Sequence, residues 1–128
     1  MPELPEVQTT IRGLQSLLNK EITNIKLYTR KLRYLIPKNI IKILINTLIL
    51  KIHRIGKYII FELNNNYSLI FHLGMSGSLR IVDRGADYRK HDHVDFSLDS
   101  GKALRFHDPR RFGCVLFCVG DPLGHKLL

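Results

Sequence analysis

The sequence predicts a mainly β protein, an antiparallel sandwich or barrel with one amphipathic helix laid against it at the N-terminus. Two observations carry this prediction. Apolar residues recur at helical spacing only between Pro5 and Leu18, and beyond Leu18 they collect in short runs rich in Ile, Val, Phe and Tyr. Turn-forming clusters such as Asn64-Asn65-Asn66 and Asp99-Ser100-Gly101 separate those runs, as strands joined by tight connections require.

In the helix, Val7, Ile11, Leu14 and Leu18 stand three and four residues apart and form one apolar stripe. Pro5 suits the first helical position, and Glu6 suits the positive end of the helix dipole. The β-rich runs follow as Ile22 to Tyr28, Arg33 to Ile36, Leu48 to Ile55, Tyr58 to Leu63, Ser68 to Leu73, Leu79 to Val82, Val94 to Leu98, Ala103 to His107 and Cys114 to Val119. Ile40 to Ile45 is ambiguous and fits a short helix. There is no internal repeat or low-complexity tract. Gly120 to His125 reads as the exit from the domain.

A chain of 128 residues fits one domain with a real core. Its net charge of +9 points to a polyanionic partner. The distribution sharpens this: ten Lys or Arg residues lie from Lys20 to Lys57 against the single acid Glu21. Such a stripe gives salt-dependent, sequence-independent attraction to phosphates. Residues 1 to 20 lack the continuous apolar core of a signal peptide, and charged or polar residues interrupt Ile36 to Ile55 too often for a membrane span. Cys114 and Cys118 are the only cysteines. On one strand they stand roughly 13 Å apart, too far for a disulfide. Buried thiols in a reducing cytoplasm are expected, and two cysteines with scattered histidines do not make a zinc site.

The N-terminus carries the most specific chemistry. Removing Met1 from Met1-Pro2-Glu3-Leu4-Pro5-Glu6 leaves Pro2 with a free secondary amine beside the Glu3 carboxyl. An α-amino group titrates near about 8, so part of it is unprotonated at neutral pH. Its attack on a sugar C1′ or an aldehyde gives an iminium, an electron sink that eases the breaking of neighbouring bonds.

Further motifs stand in order along the chain: Gly56-Lys57-Tyr58, His72-Leu73-Gly74-Met75-Ser76-Gly77-Ser78-Leu79-Arg80, Lys90-His91-Asp92-His93-Val94-Asp95 and Asp108-Pro109-Arg110-Arg111-Phe112-Gly113. Together with the N-terminal segment, and over residues 1 to about 113, the chain resembles the bacterial formamidopyrimidine-DNA glycosylases, which excise oxidised purines such as 8-oxoguanine. The resemblance implies a two-sheet antiparallel β-sandwich flanked by helices, occupying 1–120 as an N-terminal catalytic domain. Family members continue with a helix-two-turn-helix module and a four-cysteine zinc finger. Residues 121–128 are then the start of a linker to that module, and the family's zinc ion belongs to the finger rather than to this chain.

By the same resemblance, Pro2 is the Schiff-base nucleophile, Glu3 a proton donor, and Lys57 acts in β-elimination and phosphate contact. Met75, Arg110 and Phe112 are implied to fill the gap left by a flipped nucleotide, with Arg110 facing the orphaned cytosine. His91 is implied to contact the DNA backbone. These roles agree with the residue types: apolar wedges unstack base steps, and an arginine fork reads a base edge. His93 is left without a role, and Tyr58, Asp108 and Arg111 fit either support of the site or folding. The expected partner is damaged double-stranded DNA, bound by a monomer in the bacterial cytoplasm.

Three other readings compete. An endonuclease VIII-like glycosylase of the same superfamily has glycine where this chain has Leu4, and a different wedge triad. A small tautomerase also uses an N-terminal proline, but the basic stripe, Lys57 and the DPRRFG motif would go unexplained. A DNA-binding remnant would keep the motifs with little catalysis.

Overall fold

A computed structural model describes residues 4–122, so Pro2, Glu3 and most of the expected linker, 123–128, lie outside the described residues. The elements are α1 (Leu4–Gly13), a 3-10 turn (Gln15–Leu17), β1 (Glu21–Leu27), α2 (Ile40–Leu44), β2 (Thr47–Ile55), β3 (Tyr58–Leu63), β4 (Tyr67–His72), β5 (Ser78–Asp83), β6 (Asp92–Leu98), β7 (Lys102–His107) and β8 (Cys114–Val119). The helix ends at Gly13 rather than running to Leu18. Glycine is a poor helix former, and the chain continues through i→i+3 bonds, Leu17 N–H to the Leu14 carbonyl and Leu18 N–H to that of Gln15. A three-residue repeat carries Leu17, not Leu18, into the core behind Val7, Ile11 and Leu14.

All strand pairs are antiparallel, in the order β5-β7-β6-β1-β2-β3-β4-β8. Only two residue pairs, Glu21↔Leu48 and Ile22↔Thr47, join β1 to β2. That narrow seam lets one sheet fold into two facing four-stranded halves, the sandwich that the sequence motifs imply. The Phe71 ring of β4 marks where the halves meet: it packs edge-on to Phe61 at 5.3 Å and Phe96 at 5.7 Å, and stacks near Phe106 at 6.1 Å. All four rings are buried.

One expected strand does not form. Arg33 to Ile36 makes only an isolated bridge, Lys31↔Leu35, because the chain closes on itself. The Arg30 side chain donates from Nε to the Ile36 carbonyl at 2.7 Å, and Ile36 N–H returns to the Arg30 carbonyl at 2.9 Å. The loop thereby buries Ile36 while leaving Lys31, Arg33, Tyr34 and Leu35 exposed. Ile40 to Ile45 resolves as α2, with Ile40 and Leu44 four apart and buried. Both cysteines are free.

Candidate nucleic-acid interface

Met75, Arg110 and Phe112 stand on the two connections by which the chain crosses between the halves of the sheet, while Lys57 and His91 stand on connections within a half. Lys57 sits in the two-residue β2–β3 turn after Gly56, whose φ of +59° suits glycine. The β4–β5 connection carries Met75, 58% exposed, and the β7–β8 connection carries Arg110 and Phe112, both exposed. Met75 and Phe112 are thus large apolar side chains exposed on loops. The Arg110 guanidinium lies over the Phe112 ring, 4.9 Å from its centroid.

Two features press these loops together. Gly74 adopts φ +62°, and a Cβ there would lie 2.8 Å from Gly113 N and from the Phe112 carbonyl carbon. Only glycine permits that approach of two backbones. Beside it, the buried Asp108 carboxylate accepts from Ser76 Oγ at 2.6 Å and Arg111 N–H at 3.1 Å through Oδ1, and from Gly113 N–H at 2.8 Å through Oδ2. Ser76 Oγ in turn accepts from Arg110 N–H at 3.2 Å. Asp108 also reaches the third motif: its N–H donates to the His91 carbonyl, and its own carbonyl lies 2.6 Å from His93 Nε2. Asp108 and His93, open or unassigned from sequence, are thus buried struts of the loop cluster.

His91 follows with φ +72°, its ring 6.2 Å from those of His93 and His107. Desolvation, then the nearby Lys90, His93, His107 and Arg111, push its pKa below the ordinary histidine value. Beneath it, Asp92 accepts both ends of the Arg80 fork, at 2.8 and 3.0 Å, together with Arg89 N–H, and pairs with His107 Nδ1 at 2.9 Å. Burial alone would raise the Asp92 pKa, but these bonds outweigh it and hold the carboxyl far below its usual range.

The structure adds residues that sequence reasoning did not single out. His72 pairs across the strands with Tyr58, the two rings 4.8 Å apart. Burial first, then Arg33 and Lys57, lower its pKa, so a neutral imidazole stands among cations. Arg33 arrives from the self-closing loop, its N–H bonded to the Gly113 carbonyl. The His72 signal was present in the HLGMSG motif, whereas that of Arg33 depends on a loop that no periodicity reveals.

A cleft of about 300 Å³ lies between α1, through Glu6 and Thr10, and the β4–β5 loop from Leu73 to Leu79, with Met75 on its wall. Among the described residues, no three of His, Cys, Asp and Glu converge as metal ligands. Burial pushes the Cys114 thiol up to about 11, which disfavours a thiolate ligand. No helix among the described residues is long and apolar enough to cross a membrane.

Comparison with known proteins agrees with this geometry. The profile of the formamidopyrimidine-DNA glycosylase N-terminal domain matches residues 1–115. Similar proteins include the formamidopyrimidine-DNA glycosylases of Halorhodospira halophila, 44% identical over all of this chain and 48% of that protein, and of Legionella pneumophila, 47% identical over all of this chain and 47% of that protein. The Lactococcus lactis Fpg protein in complex with Fapy-dG-containing DNA superimposes with a TM-score of 0.86 at 33% identity, covering 94% of this chain and 46% of that one. Its complex with abasic-site-containing DNA gives 0.87 at 33%, covering 95% and 46%. The chain spans about half the length of these relatives.

Proposed function

The chain belongs to the formamidopyrimidine-DNA glycosylase family, as its N-terminal domain, and we propose that it serves base-excision repair, removing oxidised purines and cutting the strand at the resulting abasic site. The observation that carries this reading is the clamped pair of loops. Asp108 and Gly74 hold Met75, Arg110 and Phe112 together beside a cleft that α1 also lines. In this reading Pro2, which stands just before α1 in the sequence, acts at the same site as the wedge.

In that site the Pro2 nitrogen attacks C1′, and the glycosidic bond breaks with its electron pair leaving on the base. Glu3 supplies a proton to the sugar ring oxygen as the ring opens to the iminium. Loss of the C2′ proton then expels the 3′-phosphate by β-elimination, with the Lys57 ammonium offsetting phosphate charge, and water releases Pro2. Met75, Arg110 and Phe112 occupy the space vacated by the flipped nucleotide. His91, with Arg89 and Lys90, contacts the backbone. Zinc belongs to a finger outside this chain, and no step here passes through it.

Borohydride trapping on duplex containing an abasic site or 8-oxoguanine tests the assignment. The processed protein should form a covalent adduct that maps to Pro2. An adduct that maps to a lysine, or that persists with a blocked N-terminus, gives the nucleophile to another residue. No adduct at all leaves a domain that binds DNA without lyase chemistry.

A further inference from the structure

Arg105 is a cation with no solvent exposure in the middle of β7. Its neighbours Leu104 and Phe106 enter the core, so strand alternation turns Arg105 to the opposite face. There Lys26, Asp95, Arg105 and Arg80 stand opposite one another on β1, β6, β7 and β5. A row of three cations and one acid belongs in water, and Lys26 is indeed exposed, yet the β5–β6 connection, residues 84–91, folds over Arg105, which is buried together with Asp95.

Every part of the Arg105 guanidinium has a partner. Nε donates to Asp95 Oδ2 at 2.9 Å, Nη1 to the Asp87 carbonyl at 3.0 Å and Nη2 to the Ala86 carbonyl at 2.7 Å. Its face lies against the Tyr88 ring, 3.9 Å from the centroid, and Tyr88 packs in turn on Tyr28 at 4.4 Å. Three consecutive residues of one loop are thus gripped from below by a single side chain. The next three are Arg89, Lys90 and His91. Arg89 N–H is fixed to Asp92, and the His91 carbonyl to Asp108 N–H, so the gripped segment runs directly into the basic end of the loop.

We propose that Arg105 is a positioning residue for DNA binding, holding Ala86 to Tyr88 so that Arg89, Lys90 and His91 present themselves to backbone phosphates already ordered. The proposal rests on the DNA-repair reading above. Its logic is preorganisation: order paid for on folding is not paid again on binding. Lysine cannot replace arginine here, because a point ammonium cannot hold a carboxylate and two carbonyls and also stack on a ring.

The test combines amide hydrogen exchange in the DNA-free protein with affinity for a tetrahydrofuran-containing duplex at one fixed salt concentration. Arg105→Lys keeps the charge opposite Asp95, and Tyr88→Leu removes the stacked ring without touching the buried ion pair. Both should raise exchange across residues 86–91 about tenfold or more while β3 and β4 stay protected. His91→Ala should weaken binding several-fold in the natural background and far less in Arg105→Lys, since a loosened loop has already forfeited the contact. Unchanged exchange in both variants, or equal losses from His91→Ala in the two backgrounds, overturns the role of Arg105. No affinity of the unsubstituted protein for the duplex would instead overturn the DNA-binding reading itself.

Discussion

Ser76 donates its hydroxyl to Asp108 Oδ1 at 2.6 Å, joining two loops whose residues stand 32 apart in the chain. The bond is the middle of a relay, because Ser76 Oγ also accepts from Arg110 N–H while Asp108 accepts from Arg111 and Gly113. Three donors on the two oxygens of one buried carboxylate tie both loops to it. The loops bearing Met75 and Phe112 therefore move as one body.

Asp108→Ala strands the Gly113 amide and the Ser76 hydroxyl without their acceptor, while Arg111 N–H keeps the Asp108 backbone carbonyl at 3.3 Å. Buried donors left unpaired cost about 1–3 kcal/mol each, so urea unfolding should report a loss of about 3–5 kcal/mol, and Ser76→Ala about 1 kcal/mol. A stability change under 1 kcal/mol for Asp108→Ala would remove the carboxylate from its place as the strut.

Arg110→Ala should act on specificity. If Arg110 faces the orphaned base, as proposed, its loss should flatten the preference among bases opposite the lesion, by about 1–3 kcal/mol of discrimination. Lys31→Ala, an exposed cation of the basic stripe, should weaken all duplexes alike and lower the salt slope by about one. Binding assays against four opposite bases separate the two. A uniform loss for Arg110→Ala makes it a phosphate contact.

DNA affinity should strengthen on mild acidification through His91. In the free protein its pKa lies below 6.5, from desolvation and the surrounding Lys90, His93, His107 and Arg111. A phosphate beside the ring favours the imidazolium and raises the pKa in the complex. Binding then takes up a proton, so Kd should fall as pH drops through the window between the two values and stay flat above it. His91→Gln should abolish that slope, and a slope that survives it assigns the proton to another group.

Strand cleavage at a preformed abasic site should exceed excision of 8-oxoguanine from duplex in the 128-residue chain. Extruding a base costs a few kcal/mol, which bound-state contacts must offset, and this chain spans about half of its relatives. Matched oligonucleotides give both rates. Equal rates would mean that the domain flips the lesion unaided.

Much of this architecture was legible from local pattern. Short β-rich runs bounded by turn residues located eight strands, and the apolar stripe located α1, because those signals sit within a few adjacent residues. Arg33 to Ile36 misled because a short run with apolar Leu35 and Ile36 cannot reveal that Arg30 will close the chain back on it. The motif residues Met75, Arg110 and Phe112 stood out by their loop context, but the carboxylate that unites them did not. From sequence Asp108 fits either support of the site or folding, and its place as the strut depends on a donor, Ser76, remote along the chain. Arg105 is the extreme case. An arginine in a strand reads as solvent-facing, and only the path of residues 84–91 buries it.

The connections that carry Met75 and Phe112 both leave one half of the sheet and enter the other, β4 to β5 and β7 to β8. Each therefore spans the interior that the Phe61, Phe71, Phe96 and Phe106 rings fill, while the Ser76–Asp108 bond ties one to the other. A ring trimmed at Phe71 would then let the two connections shift together, as one piece, against the rest of the sheet.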